Sequence, residues 1–255
     1  MVSVNGLNIS DNVSYITEEV TFRSMPTRNI ETQDISRMPG LKILNSEWSS
    51  KEIEIKGYVF GTSASGLRGL VDNLQQNFAV KSLALMVDSD RTYTATMETL
   101  EIPNQFYNNT YVPYTAKFLA ADPFAYASQI TASGTVISGT LTYSGTITIS
   151  GTVFASPLLY LYPTGAPAGD SGIKQLQVGY TPKGETVTIS GTINYTSAVS
   201  IDYGNFQVTN SGIASDFTGI FSRWEPGATN FTITVASGVR QGYNWVFAYQ
   251  PRYYE

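Results

Sequence analysis

Hydrophobic and polar positions along this chain alternate far more often than they recur at helical spacing. Ile53 and Ile55 alternate with Glu52, Glu54 and Lys56, the period-two pattern of a half-buried strand. Leu83-Ala-Leu-Met-Val87 reads as a strand buried on both faces, and Arg91 to Met97 puts Tyr93, Ala95 and Met97 on one side. The Asp88-Ser89-Asp90 break between those runs predicts a hairpin. Tyr114, Ala116 and Phe118 mark a further alternating strand. One stretch departs from this habit. Leu67, Leu70, Val71, Leu74 and Phe78 form a single apolar stripe at i, i+3, i+4, i+7 and i+11. That stripe predicts one amphipathic helix over about residues 65–79, with Ser63 or Ser65 as its N-cap. Residues 24–50, with Pro26 and Pro39-Gly40, show no period. A structureless stretch longer than about 15 residues is usually functional or disordered, and an arm reaching a neighbouring subunit would account for it.

Beyond residue 128 the pattern is strand and turn almost throughout. Residues 157–162, 173–178, 186–189, 200–203, 206–208, 231–235 and 245–249 each read as a short strand. Runs spaced near ten residues apart predict a β-sandwich of jelly-roll style. Between the two halves lies a Ser/Gly/Thr-rich tract, with Ser-Gly-Thr beginning at positions 133, 138, 144, 150 and again at 190. Either a flexible linker or short strands closed by Ser-Gly turns fits this composition. The Thr and Ile content favours strands for 141–155, and 129–140 is expected to be the connector. The expected organisation is therefore a domain at 1–128, a linker at 129–140 and a sandwich at 141–255.

Composition sharpens that division. Residues 1–128 hold ten Lys/Arg and fourteen Asp/Glu, a net charge of −4, against five and six in residues 129–255. Glycine runs the other way, 6 in the first part and 16 in the second. Over all 255 residues charged side chains make up 14%, below the roughly 25% of ordinary soluble domains. A net charge of −5 argues against a basic nucleic-acid-binding surface. The chain has neither His nor Cys. That removes imidazole general bases, Ser-His-Asp and Cys-His nucleophiles, disulfides, and zinc or iron sites built on nitrogen or sulfur. Met1 to Gly6 lacks the basic and apolar regions of a signal peptide. No apolar run approaches the roughly 20 residues of a membrane span, so no membrane insertion is expected.

Little candidate chemistry survives these exclusions. Glu52 and Glu54 share a strand face, but glycoside hydrolysis needs two acids about 5–9.5 Å apart in a cleft, and these read as a solvated surface. Asp88-Ser89-Asp90 offers oxygens for calcium but lacks the further acidic ligands of an EF-hand loop; a turn is the simpler reading. Tyr203, Trp224 and Tyr243, with Asn205, Asp216 and Asn230 nearby, are the candidates for stacking on sugar rings, with a buried core as the competing reading. Trp245, inside an alternating strand, is expected in the core. The C-terminal Tyr249-Gln-Pro-Arg-Tyr-Tyr254 reads as a last strand followed by an exposed tip or frayed end, with an interface role open to it. No enzymatic activity, metal or cofactor is expected.

The order of these pieces resembles a known family. Val4-Asn5-Gly6 opens the chain, Arg37-Met-Pro-Gly40 supplies a Pro-Gly turn, and Ile53-Glu-Ile-Lys-Gly-Tyr-Val-Phe-Gly61 precedes the single helix. Arg91-Thr-Tyr93 follows, and Phe118-Leu-Ala-Ala-Asp-Pro-Phe124 closes the first half. In the second half stand Gly151-Thr-Val-Phe-Ala-Ser-Pro157, Ile201-Asp-Tyr203 and Trp224-Glu-Pro-Gly-Ala-Thr-Asn230. In this order the chain resembles the distal tail protein (Dit) family of bacteriophages with long, non-contractile tails. The resemblance spans nearly the whole chain, though no single motif in it is specific. It departs from the family after Pro39-Gly40, where a second glycine is often found, and in the low complexity of the Ser-Gly-Thr tract.

The resemblance implies a mainly β protein: an N-terminal β-sandwich or barrel-like domain with one helix and a long arm, then a C-terminal galectin-like β-sandwich. It implies a homohexameric ring at the tail tip of the virion, made in the host cytoplasm. That ring would join the tail tube and tape-measure proteins to tail-associated lysin, fibre or receptor-binding proteins. DNA would pass through the central channel without specific binding, which an acidic or neutral lining favours. A carbohydrate-binding tail protein contacting the host surface is the alternative.

Overall fold

The structure is a computed structural model that describes residues 1–22, 25–34, 41–88, 90–103, 110–137, 139–164, 173–193, 198–238 and 242–254. The Arg37-Met-Pro-Gly40 turn, Ser89 and Ser138 lie outside them. The chain divides into two compact units, one formed by Met1–Ala127 with Tyr253–Glu255 and the other by Ser128–Arg252.

The first unit holds β1 (Ser3–Val4), β2 (Leu7–Asn8), β3 (Tyr15–Thr21), β4 (Arg28–Asp34), β5 (Leu41–Trp48), β6 (Lys51–Phe60), α1 (Ala64–Phe78), β7 (Leu83–Met86), β8 (Thr92–Glu101), β9 (Tyr111–Ala120) and β10 (Ala125–Tyr126). Its main sheet runs β2-β1-β7-β8-β9-β6-β3, with short strands completing a nine-stranded array. α1 forms where the stripe puts it because Leu67, Val71, Leu74 and Phe78 share one buried face. Ser63 caps it, its Oγ accepting the Gly66 N–H at 3.1 Å. That face covers the inner side of the sheet, in one core with Ile53, Ile55, Val59, Tyr93, Tyr114 and Phe118. The strand alternation read from Glu52 to Lys56 is the alternation of burial along β6, and β7 pairs with β8 as a hairpin, Leu85 opposite Tyr93.

The second unit holds β11 (Ile130–Val136), β12 (Thr142–Ile149), β13 (Leu158–Thr164), β14 (Ile173–Tyr180), β15 (Glu185–Ile193), β16 (Val199–Asp202), β17 (Gln207–Asn210), β18 (Ile213–Ala214), β19 (Phe217–Gly219), β20 (Gly227–Gly238) and β21 (Gly242–Tyr249). They form a six-stranded sheet, β11-β21-β13-β16-β17-β18, and a five-stranded sheet, β12-β20-β14-β15-β19. Leu159, Leu161, Ile201, Trp245 and Phe247 of the first share a core with Leu176, Val178, Ile189, Phe231 and Ile233 of the second, so the unit is a two-sheet sandwich.

Two sequence expectations change here. The stretch 129–140 is not a connector: Ile130 to Val136 pairs in unbroken register with Tyr249 to Tyr243 of β21. The reason lies in its glycine. A Cβ on Gly134 would sit 2.6 Å from the Trp245 ring, and one on Gly145 of β12 would sit 2.6 Å from Phe231. These rings belong to the residues directly opposite, Gly134 facing Trp245 and Gly145 facing Phe231. In both sheets, then, a Ser-Gly-Thr edge strand leaves room for a cross-strand aromatic ring, which covers the missing side chain. The second change is the aperiodic stretch at 24–50, which contains β4 and β5 paired as an antiparallel hairpin in a sheet of their own.

Candidate functional site

The three sugar-stacking candidates are core residues. Tyr203, Trp224 and Tyr243 are 3%, 0% and 2% exposed, so no ring face is open to a sugar, and that expectation is corrected. Trp224 packs on Tyr180 at 5.1 Å and on Phe247 at 4.9 Å. Tyr203 meets Trp224 edge-on at 5.6 Å. The Tyr243 hydroxyl donates to the Ile233 carbonyl at 3.4 Å. Burial pushes the Tyr203 and Tyr243 phenols well above their usual range. Trp224 sits in no alternating strand; an isolated bridge to Ala155, with bonds of 2.8 and 2.9 Å, pulls it inward.

Of the candidate carboxylates, Glu54 and Asp90 sit in surface ion pairs. Glu54 meets Lys56 at 3.1 Å and Lys117 at 3.9 Å, and Lys56 also meets Glu19 at 3.0 Å. The Glu19 and Glu54 carboxylates hold the Lys56 ammonium above its usual range. Glu52 is exposed beside this ladder. Asp90 is exposed and lies 3.9 Å from Arg91. Among the described residues no group of three or more acidic side chains is placed to hold a metal ion.

The feature that lacks a local explanation is the β4–β5 hairpin. Its described side chains are exposed on both faces apart from half-buried Trp48. Ile30, Ile43 and Leu44 are 54%, 62% and 48% exposed. Thr32 faces Ile43, while Glu31 faces Asn45, so Leu44 is the extra residue of a bulge and Ile30 and Ile43 share one face. A two-stranded hairpin with no core is marginal in water, and this one presents apolar side chains to solvent.

Its root, by contrast, is firmly built. The Arg28 guanidinium lies 4.0 Å over the Trp48 ring. Trp48 packs on Phe124 at 6.1 Å and on Tyr254 at 5.1 Å, and those two rings meet at 5.4 Å. Ser49 N–H donates to the Thr27 carbonyl at 2.9 Å, closing the hairpin base. Immediately after it, Lys51 is buried, its Nζ donating to the Tyr93 hydroxyl at 3.0 Å. Burial pushes the Lys51 ammonium down to about 8 and the Tyr93 phenol up to about 12. Tyr253 and Tyr254 are thus not frayed: Tyr254 closes the aromatic triad and Tyr253 lies 3.9 Å under the Arg91 guanidinium. Nothing local marks Trp48 as a packing centre, because its partners lie 76 and 206 positions away along the chain. The only local signal was a tryptophan flanked by the polar Ser46-Glu47 and Ser49-Ser50.

No family model matches the chain, and no curated protein matches it. Among solved structures it is similar to the SPP1 Dit protein, described as a paradigm of the hub adsorption apparatus in phages infecting Gram-positive bacteria. The TM-score is 0.70 at 14% identity, covering 98% of each chain. The phage P2 baseplate in its activated conformation, with calcium and with strontium, gives looser matches, with TM-scores of 0.46 and 0.45 at 10% identity, covering 94% of this chain and 92% of the other. The resemblance to the distal tail family expected from the sequence is therefore met at the level of fold, and across both units.

Proposed function

We propose that this chain is a structural hub of a bacteriophage tail tip. Six copies close into a ring that joins the tail tube to the host-adsorption apparatus and leaves a central channel for DNA. Its work is positional, with no bond made or broken. The observation that carries this reading is the β4–β5 hairpin: a coreless arm with a rigid aromatic root and an apolar face in solvent. Such an arm gains stability only when a neighbour covers it. A head-to-tail contact of this kind, repeated around an axis, builds a closed ring. The Dit-like fold of the whole chain supports the placement in a tail, and the sparse charge of the second unit suits a surface that docks other virion proteins.

Negative-stain electron microscopy of the purified full chain tests the reading. Rings with a central hole are expected. Single globules at micromolar concentration, or measurable hydrolysis of a polysaccharide, would overturn it.

A further inference from the structure

We infer that the free edge of β12 is a self-pairing site, at which two copies of this chain join their five-stranded sheets antiparallel about a twofold axis centred on Gly145. Among the described residues β12 pairs only with β20, over eight consecutive positions without a bulge. The Leu141 carbonyl accepts the Val235 N–H of β20 at 2.9 Å. Backbone groups alternate in direction along an antiparallel strand, so Thr142, Ser144, Thr146 and Thr148 turn theirs to the open side. The Tyr249 hydroxyl, donating to the Thr148 carbonyl at 2.8 Å, caps only the far end of that row.

An unpaired edge of this length is a template for another strand. Natural edges are blunted by charge, proline or a bulge. This one has none of the three, and no charged residue stands anywhere from Pro123 to Gly169. Like charges therefore cannot oppose a second copy.

The occupant follows from the pattern. From Leu141 to Ile149 the order is apolar, hydroxyl, apolar, hydroxyl, Gly145, hydroxyl, apolar, hydroxyl, apolar, which reads the same in both directions. Keeping the apolar residues on the inner face requires an antiparallel self-pairing to centre on a residue rather than between two. With Gly145 at the centre, Tyr143 faces Ile147 and Leu141 faces Ile149. Each Ser144 then exchanges both of its backbone bonds with Thr146 of the other copy. Leu141, 46% exposed in the single chain, gains an apolar neighbour, and Tyr143–Ile147 is an aromatic and β-branched cross-strand pair. The outer face becomes a continuous Thr/Ser ladder. A contact made by one patch with itself is isologous, so it is separate from a head-to-tail ring contact and does not depend on the tail-hub reading.

The absence of native cysteine makes the test clean. Ser144→Cys and Thr146→Cys are prepared as separate full-length variants, each mild at an exposed position, then mixed and oxidised. Opposed residues of an antiparallel pair stand about 5.5 Å apart, within disulfide reach. The mixture is expected to yield a disulfide dimer at twice 27.8 kDa that neither variant yields alone. Ser144→Lys, which sets two ammonium groups beside the axis, is expected to lower the dimer fraction of the otherwise unaltered chain in sedimentation. No dimer in the mixture, or equal dimer from either variant alone, overturns the inference. Rings seen without cross-linking would leave the hub reading standing while removing this one, and cross-linking without rings would do the reverse.

Discussion

The two units end their sheets in opposite ways. In the first, the edge strand β3 carries Glu18 and Glu19 and is bulged between Thr17 and Glu19, while the other edge, β2, is two residues long. Both devices discourage another strand from adding. In the second unit one edge of each sheet is short as well, β18 and β19 having two and three residues, but the other edges, β11 and β12, are seven and eight residues long, uncharged and in regular register. The contrast lies in which surfaces each unit leaves open to a partner. The first ends its main sheet in a bulged, charged strand and a two-residue strand and carries a separate exposed hairpin, the surface on which the proposed ring contact rests. Among the described residues the second unit has no such hairpin, and β11 and β12 each pair on one side only.

If each unit rests on its own core, damage should stay local. Trp224→Ala removes a fully buried ring from the sandwich and is expected to cost about 3–5 kcal/mol. Denaturant unfolding should lose the second unit's transition while the first unit's remains. A single shifted transition would break the division into independent units. Gly145→Val drives a side chain into Phe231 and should cost about 1–3 kcal/mol by the same measurement. A neutral result would mean that the ring does not depend on the vacancy beneath it.

The third prediction concerns the buried amine at the arm's root. With Lys51 at about 8 in the folded chain against 10.5 for a free lysine, the unfolded chain holds more protons between those values. Stability should therefore rise as pH goes from about 8 to 10, the reverse of a salt-bridged lysine. Above pH 10 the buried Tyr93 and Tyr114 phenols, both pushed up to about 12, turn the slope downward. Lys51→Met should abolish the rise when melting temperature is followed across this range. Smallest of all, Tyr254→Ala removes one ring of the triad and should cost about 0.5–1.5 kcal/mol, with Trp48 fluorescence shifting to the red as its cover is lost.

How far the sequence reached depends on how far apart partners lie. The helix stripe from Leu67 to Phe78 and the alternation of β6 are visible because burial is written into neighbouring positions. The hairpin leaves no such trace: Arg28 to Asp34 buries no described side chain, so it has no period to detect. β11 looks like a linker because its glycine is covered by Trp245, which stands 111 positions later. For Tyr203 and Trp224 the sequence leaves sugar stacking and core burial both open for a related cause, since irregular segments carry no sign of which way a ring turns. The aromatic root of the arm, assembled from residues 48, 124 and 254, was beyond any local pattern.

The claim on which the account turns is that the exposed hairpin holds the assembly together. Mass photometry of the full chain beside an Ile30→Asp/Ile43→Asp/Leu44→Asp variant tests it most directly. The account predicts a species of six times 27.8 kDa for the natural sequence, and for the variant no such species, only single chains and β12-paired dimers, with an unchanged melting temperature. Equal assembly by both proteins would contradict it.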